Sequence, residues 1–221
     1  MAIRVAINGF GRIGRLVLRA IFESKRRDIQ VVAINDLGSV EANAHLLKHD
    51  TVHGVFPFDV KVKENALMIG RNAIAVSAER NPAKLAWKKL KVDVAMECTG
   101  RFTDHASAAQ ILKAGAKKVL VSAPTSGADL TVVYGINHDK LRKKHKVVSN
   151  ASCTTNCLAP VAQTLNKSIG IAQGFMTTIH AYTADQRVQD TLHGDLRRAR
   201  SAASSIIPSS TGAARAVGLV L

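Results

Sequence analysis

Near its start the chain reads Ile3-Arg4-Val5-Ala6-Ile7-Asn8-Gly9-Phe10-Gly11-Arg12-Ile13-Gly14. The apolar run from Ile3 to Asn8 predicts a buried strand, and residues 12–24 place apolar side chains at helical spacing. The three glycines lie between these elements. There they predict a tight turn, a close approach of backbone N–H groups to a pyrophosphate, and close packing of helix on strand. A pyrophosphate at this point meets the positive end of the helix dipole.

A carboxylate follows the second predicted strand, Ile29 to Asn35. This residue, Asp36, lies 22 positions after Gly14. At that place a carboxylate accepts hydrogen bonds from adenosine ribose hydroxyls and repels a 2′-phosphate, so the predicted cofactor is NAD rather than NADP. The plainer alternative is a set of turn glycines with a capping aspartate.

The remaining pattern predicts an α/β fold with a Rossmann-type, doubly wound parallel sheet in residues 1–150. Further strands are expected at residues 92–97, 119–122, 131–135 and 147–148, with a helix at 104–114 and an antiparallel hairpin between 60 and 76. Beyond residue 150 we expect a helix from Cys153 to Asn166, a long strand from Gly174 to Tyr182, an Arg-rich loop over 183–205 and a final helix opening at Ser210-Thr211-Gly212. Residues 151–221 are interpreted as an incomplete part of an α+β catalytic domain, because the chain stops in an apolar run.

The composition narrows the classes of function. With 31 Lys and Arg against 16 Asp and Glu, the net charge is +15, but the basic runs are scattered and aromatic residues make up only 4%. This pattern argues against dedicated nucleic-acid binding and favours a solvated, phosphate-attracting surface. We find no membrane-length apolar run and no signal peptide, and the three cysteines lack metal-site spacing. We expect a cytoplasmic protein without a metal site.

The second motif is Ser149-Asn150-Ala151-Ser152-Cys153-Thr154-Thr155-Asn156-Cys157. Cys153 lies at the start of a predicted helix, whose N-terminus lowers a thiol pKa, and His180 at the end of the following strand is the candidate partner. Cys157, one turn further along, is expected to be a buried spectator. The alternatives are a structural cysteine and a structural histidine. Because a more acidic thiol is also a weaker nucleophile, ionisation alone gains only about twofold in rate, so positioning and proton transfer must supply the rest.

Groups suited to holding phosphate cluster after this cysteine. They are hydroxyls, a guanidinium and free backbone N–H groups, supplied by Ser152, Thr154, Thr183, Arg198, Thr211 and Gly212. Each alone is a cap or a surface group, and only their grouping indicates an anion site.

With these motifs the sequence resembles the phosphorylating glyceraldehyde-3-phosphate dehydrogenases of bacterial type. The resemblance is carried by residues 6–15, 151–157, 178–183 and 207–214. It implies that Cys153 attacks the aldehyde of glyceraldehyde 3-phosphate, that His180 acts as base and activates the thiol, that hydride passes to NAD, and that inorganic phosphate releases 1,3-bisphosphoglycerate. It further implies NAD contacts from Arg12, Ile13, Asp36, Arg80 and Ser122, phosphate contacts from the six residues given above, and a homotetramer.

Two departures keep alternatives open. The family subunit continues beyond the point where this chain stops, and residues 190–193 lack a proline found in many NAD-specific members. The alternatives are the related erythrose-4-phosphate dehydrogenase and an inactive, truncated fragment that binds NAD or polyanions.

Overall fold

The computed structural model describes residues 2–221, and the chain divides into two compact units at the boundary between Ser152 and Cys153. The first unit contains the elements β1 (Ile3–Asn8), α1 (Arg12–Glu23), β2 (Ile29–Asn35), α2 (Val40–Lys48), β3 (His49–Asp50), β4 (Gly54–Val55), β5 (Val60–Lys63), β6 (Ala66–Ile69), β7 (Asn72–Ser77), β8 (Val94–Glu97), α3 (His105–Ala108), α4 (Gln110–Lys113), β9 (Lys118–Val121), β10 (Leu130–Thr131) and β11 (Val147–Ser149). The second unit contains α5 (Cys153–Ser168) and α6 (Ala213–Val220).

Nine strands of the first unit form one sheet in the order β10-β11-β9-β8-β1-β2-β7-β6-β5. The strands from β10 to β7 pair in parallel, while β7, β6 and β5 pair antiparallel. This confirms the Rossmann-type parallel sheet and its antiparallel excursion, which is a three-stranded meander. Since the carboxyl ends of parallel strands share one edge, the loops that follow β8, β1, β2 and β7 lie together.

Alternation along the strands supplies two cores, one on each face of the sheet. Ala6 belongs to the cluster that contains Trp87, the single tryptophan, while Ile7 belongs to the cluster that contains Phe10 and Phe56. All five side chains are fully buried or nearly so. The sheet is therefore covered on both sides, as a parallel sheet requires.

Several predicted elements differ in the structure. The strand expected over residues 131–135 ends at Thr131, because the Asn137 side chain donates to the Thr131 carbonyl at 2.9 Å and accepts from the Val133 N–H at 2.9 Å. Those backbone groups are thereby taken from any neighbouring strand. The helix expected over 104–114 is divided into α3 and α4 at Ala109. Helix α2, whose N-cap is Ser39, was not predicted.

The strand predicted from Gly174 to Tyr182 is wrong. Its side chains are mostly exposed, with Phe175 and Ile179 almost fully accessible, and residues 153–221 offer no strand with which it could pair. A single strand leaves its backbone to water and is not stable alone. None of the helices described within residues 2–221 combines the length and apolar character needed to cross a membrane.

Candidate active site and cofactor pocket

A cavity of about 420 Å³ opens at the carboxyl ends of the parallel strands. It is lined by Asn8, Gly9, Gly11, Asn35, Asp36, Leu37, Glu79, Arg80, Cys98, Thr99, Arg101 and Phe102. Four predicted cofactor residues, Gly9, Gly11, Asp36 and Arg80, are thus brought to one cavity. All of its lining residues belong to the first unit.

The three glycines of the turn have different environments. A Cβ on Gly9, where φ is +89°, would lie 2.7 Å from the Thr99 nitrogen, and a Cβ on Gly14 would overlap the carbonyl oxygen of Gly9. By contrast, a Cβ on Gly11 would meet nothing within 4 Å. Gly9 and Gly14 are required by packing, whereas the space beside Gly11 is open to a ligand.

The helix that follows begins without a side-chain cap. Gly11 is the N-cap of α1, and no side chain accepts a hydrogen bond from the first turn. The backbone N–H groups of Arg12, Ile13 and Gly14 are therefore available to an anion at the positive end of the helix. This arrangement fits the pyrophosphate of a dinucleotide.

Asp36 is held by the turn it faces. Its Oδ2 accepts from the Phe10 N–H at 2.7 Å, and its Oδ1 accepts from the Gly38 N–H at 2.9 Å. Each carboxylate oxygen retains a second lone pair, so the group can still accept hydrogen bonds from ribose hydroxyls. The residues present fit a dinucleotide without a 2′-phosphate.

The other predicted cofactor residues lie outside the cavity lining. The Arg12 guanidinium is paired with Asp50 at 2.9 Å, and half of the Ile13 side chain is exposed. Ser122 donates its backbone N–H to the Glu97 carbonyl at 2.9 Å and shares a hydrogen bond with the Cys98 thiol. The contacts of these three residues with NAD stay predictions.

The thiol of Cys153 and the imidazole of His180 face each other in the second unit. The distance from Sγ to Nε2 is 3.1 Å, and Nδ1 lies 2.6 Å from the Ala181 carbonyl oxygen. Because Nδ1 must donate to that carbonyl, the other ring nitrogen is directed to the sulfur. Cys153 is also the first residue of α5 and is exposed.

This geometry favours the ion pair. Partial burial opposes ionisation of the thiol, but the hydrogen bond and charge of His180, with hydrogen bonds from Thr154, outweigh it and lower the pKa of Cys153. The hydrogen bond to Ala181 and the facing sulfur raise the pKa of His180. Both shifts favour the thiolate–imidazolium form of the pair, which is the form that a cysteine nucleophile requires.

The expectation for Cys157 is wrong, since it is exposed. A residue four positions along a helix lies on the same face, so the exposure of Cys153 extends to Cys157. Cys98, the third cysteine, is half-buried, and burial raises its pKa to about 11. Among the three, Cys153 alone combines exposure with a histidine partner.

A second cavity, of about 390 Å³, adjoins this pair within the second unit. It is lined by Thr154, Thr178, Ile179, His180, Thr183, Asp185, Gln186, Arg198, residues 206–210 and Thr211. Four of the six predicted phosphate residues are thus brought together with His180. Gly212 is instead the N-cap of α6, and Ser152 ends the first unit.

Arg198 is positioned from two sides of this cavity. It forms an ion pair with Asp185 and donates from Nη2 to the Ser210 carbonyl at 3.2 Å, while its Nε lies 3.8 Å from Asp195 Oδ2, beyond hydrogen-bond distance. A guanidinium in a cavity that is also lined by four threonines is suited to a phosphate. Asp185 and Gln186 were not identified from the sequence.

Comparison with known proteins assigns both units. Residues 3–105 match the family model described as the glyceraldehyde 3-phosphate dehydrogenase NAD binding domain, and residues 152–221 match the model of the C-terminal domain. Proteins named glyceraldehyde-3-phosphate dehydrogenase are 67% identical in Xanthobacter flavus, 65% in Cereibacter sphaeroides and 56% in Geobacillus stearothermophilus. Each alignment covers 100% of this chain and 66% of the relative, so the chain spans just under two thirds of the length of these relatives.

The matched NAD binding domain and the fit of the first cavity agree on NAD as the cofactor. The chain belongs to the glyceraldehyde-3-phosphate dehydrogenase family.

Proposed function

We propose that the protein catalyses the NAD-dependent oxidative phosphorylation of glyceraldehyde 3-phosphate to 1,3-bisphosphoglycerate. The observation that carries this proposal is the Cys153–His180 pair at 3.1 Å beside a cavity lined with hydroxyls and a guanidinium, groups suited to phosphate. The relatives that align with the whole of this chain are named glyceraldehyde-3-phosphate dehydrogenase.

The first step is addition to the aldehyde. The Cys153 sulfur forms a bond to the carbonyl carbon, and the carbonyl oxygen takes a proton from the His180 Nε2, giving a thiohemiacetal. Its hydroxyl proton then returns to His180 as the carbon is oxidised to a thioester. NAD, when bound, supplies the acceptor for the hydride that leaves this carbon.

The second step releases the product. An oxygen of inorganic phosphate bonds to the thioester carbon, and the carbon–sulfur bond breaks to leave the Cys153 thiolate. Because the pKa of Cys153 is lowered by His180, this thiolate is a better leaving group than that of an ordinary cysteine. We assign the substrate phosphate and the attacking phosphate to Ser152, Thr154, Thr183, Arg198, Thr211 and Gly212.

Three further parts of the proposal concern the protein's setting. We propose a homotetramer and a cytoplasmic location, as the family resemblance implies. We also propose domain limits of 1–150 for the NAD-binding domain and 151–221 for the part of the catalytic domain that this chain contains.

The test measures NADH formation by absorbance. We expect it to require glyceraldehyde 3-phosphate and inorganic phosphate together and to disappear in Cys153→Ser, while Cys157→Ser retains it. A higher rate with erythrose 4-phosphate in parallel assays would contradict the substrate assignment. Equal activity in Cys153→Ser would contradict the mechanism.

A further inference from the structure

The last residues of four neighbouring strands carry polar side chains that form one hydrogen-bonded series. Glu97 ends β8, Asn8 ends β1, Asn35 ends β2 and Ser77 ends β7. These residues are paired across neighbouring strands: Asn8 is opposite both Glu97 and Asn35, and Asn35 is opposite Ser77. We name these four residues the strand-end network.

The hydrogen bonds of the strand-end network all run in one direction. Ser77 Oγ donates to Asn35 Oδ1 at 2.9 Å, Asn35 Nδ2 donates to Asn8 Oδ1 at 2.8 Å, and Asn8 Nδ2 donates to Glu97 Oε2 at 2.5 Å. Glu97 is the terminal acceptor, and it also accepts from the Thr99 N–H and hydroxyl. A carboxylate that only accepts thus orients both amides.

Three of the four residues of the strand-end network are buried, and two of these, Asn8 and Asn35, line the cofactor cavity, whereas Ser77 is exposed. Glu97 is 1% exposed, Asn8 2% and Asn35 5%. Burial raises the pKa of Glu97, although its hydrogen bonds with Thr99 and Asn8 act in the opposite direction. A buried carboxylate such as Glu97 costs folding free energy unless all of its hydrogen bonds are formed. Its presence therefore calls for a reason other than stability.

The backbone contacts of the network supply that reason. Glu97 Oε1 accepts from the Thr99 N–H at 2.7 Å, and Asn35 both accepts from the Glu79 N–H and donates to the Glu79 carbonyl at 2.8 Å. Thr99 in turn packs against Gly9 so closely that no side chain fits there. Each of the loops that follow β1, β2, β7 and β8 supplies residues that line the cavity.

We propose that Glu97 is a positioning residue for NAD: through Asn8 and Asn35, its carboxylate sets the relative placement of the four loops that bind the dinucleotide. The inference rests on the assignment of the first cavity to NAD. It gives a role to a buried carboxylate that takes no part in the chemistry at Cys153.

The test reverses the donor and the acceptor of the hydrogen bond between Asn8 and Glu97. Glu97→Gln places an amide donor against the donors of Asn8 or Thr99, so we expect NAD affinity to fall about tenfold or more. Asn8→Asp alone sets two carboxylates against each other and should also weaken binding. In the double variant that combines Asn8→Asp with Glu97→Gln, the new amide nitrogen at position 97 donates to the new carboxylate at position 8, while the amide oxygen still accepts from Thr99. Affinity should then return to within about threefold of wild type.

NAD binding is measured by titration calorimetry, beside thermal unfolding without NAD, with Glu41→Gln on α2 as the matched control. Unchanged NAD affinity in a folded Glu97→Gln variant would overturn the inference, even if its melting temperature falls. The inference would also be overturned if the double variant regained thermal stability but not NAD affinity. Should Glu97→Gln not fold, Ser77→Ala removes only the outermost donor, and we expect about threefold weaker binding, with no change counting against the inference. Failure of the wild-type chain to bind NAD would instead remove the cofactor assignment itself.

Discussion

The Nε2 atom of His180 lies 3.1 Å from the Sγ atom of Cys153, while the opposite ring nitrogen is held by the Ala181 carbonyl. The hydrogen bond to Ala181 fixes which nitrogen meets the sulfur. The proposed chemistry depends on this relationship, because the same proton must move between Nε2 and the reacting oxygen.

The pH dependence of thiol alkylation follows from this pair. The pKa of Cys153 is lowered, so its thiolate appears at a lower pH than that of an ordinary thiol. In His180→Asn we expect the midpoint of alkylation by iodoacetamide to move to higher pH, since the charge and hydrogen bond are lost. Measurements use a Cys157→Ser background, where Cys98, with its pKa of about 11, stays protonated.

The matched control for this experiment is His193→Asn. His193 lies 3.4 Å from Asp185 and does not contact the thiol. An equal shift in the control, or no shift in His180→Asn, would show that the imidazole at position 180 does not set the ionisation of Cys153.

Two alanine substitutions in the glycine turn should affect different properties, one the stability of the fold and the other NAD binding. Gly14→Ala places a methyl group on the Gly9 carbonyl and should lower the free energy of unfolding by about 1–3 kcal/mol. Gly11→Ala meets no atom, so its effect on stability should stay below about 1 kcal/mol, but its methyl group enters the space beside the helix N-terminus and should weaken NAD binding. Denaturant unfolding and NAD titration check the pair, and equal losses of stability would contradict it.

Asp36 should determine the choice between NAD and NADP. Asp36→Ser removes the charge that repels a 2′-phosphate and the acceptor that holds the Phe10 N–H, so NAD binding should weaken about tenfold while NADP binding does not. Arg80 and Arg101 line the same cavity and remain to face the added phosphate. Calorimetric titration with both dinucleotides gives the ratio of affinities, and an unchanged ratio would contradict this role.

Two arginines of the Arg-rich loop over residues 183–205 allow a matched test of phosphate binding in the second cavity. Arg198 lines the cavity, whereas Arg200 is largely exposed and pairs with Asp190. Arg198→Ala should weaken binding of inorganic phosphate about tenfold or more because a charged hydrogen-bond donor is lost, and Arg200→Ala should change it less than about twofold. Comparable effects from both variants in a phosphate titration would indicate only general surface charge.

The sequence predicted best those features that depend on neighbours in the chain. The limits of β1 and β2 agree with the structure, since each is a short apolar run that ends in a turn signal. The start of α1 follows from the glycine turn, and the start of α5 from the hydroxyl-rich run before Cys153. The position of Cys153 at a helix start therefore followed from local pattern, whereas the expected strand before His180 did not form.

Features that depend on distant partners were missed or misread. Residues 174–182 have strand composition, but a strand forms only beside another, and residues 153–221 supply none. The strand-end network joins Asn8 to Glu97 across 89 positions, and polar residues at the ends of apolar strands were its only trace in the sequence. The burial of Cys157 was misjudged because spacing shows which residues share a helix face, not what covers that face.

Trp87 is 1% exposed in the core of the first unit, and it is the single tryptophan of the chain. Its fluorescence spectrum consequently reports on the first unit, residues 2–152, whereas the accessibility and ionisation of Cys153 report on residues 153–221. An unfolding experiment that records both signals on one sample would show directly whether the two units unfold in one cooperative transition or in succession.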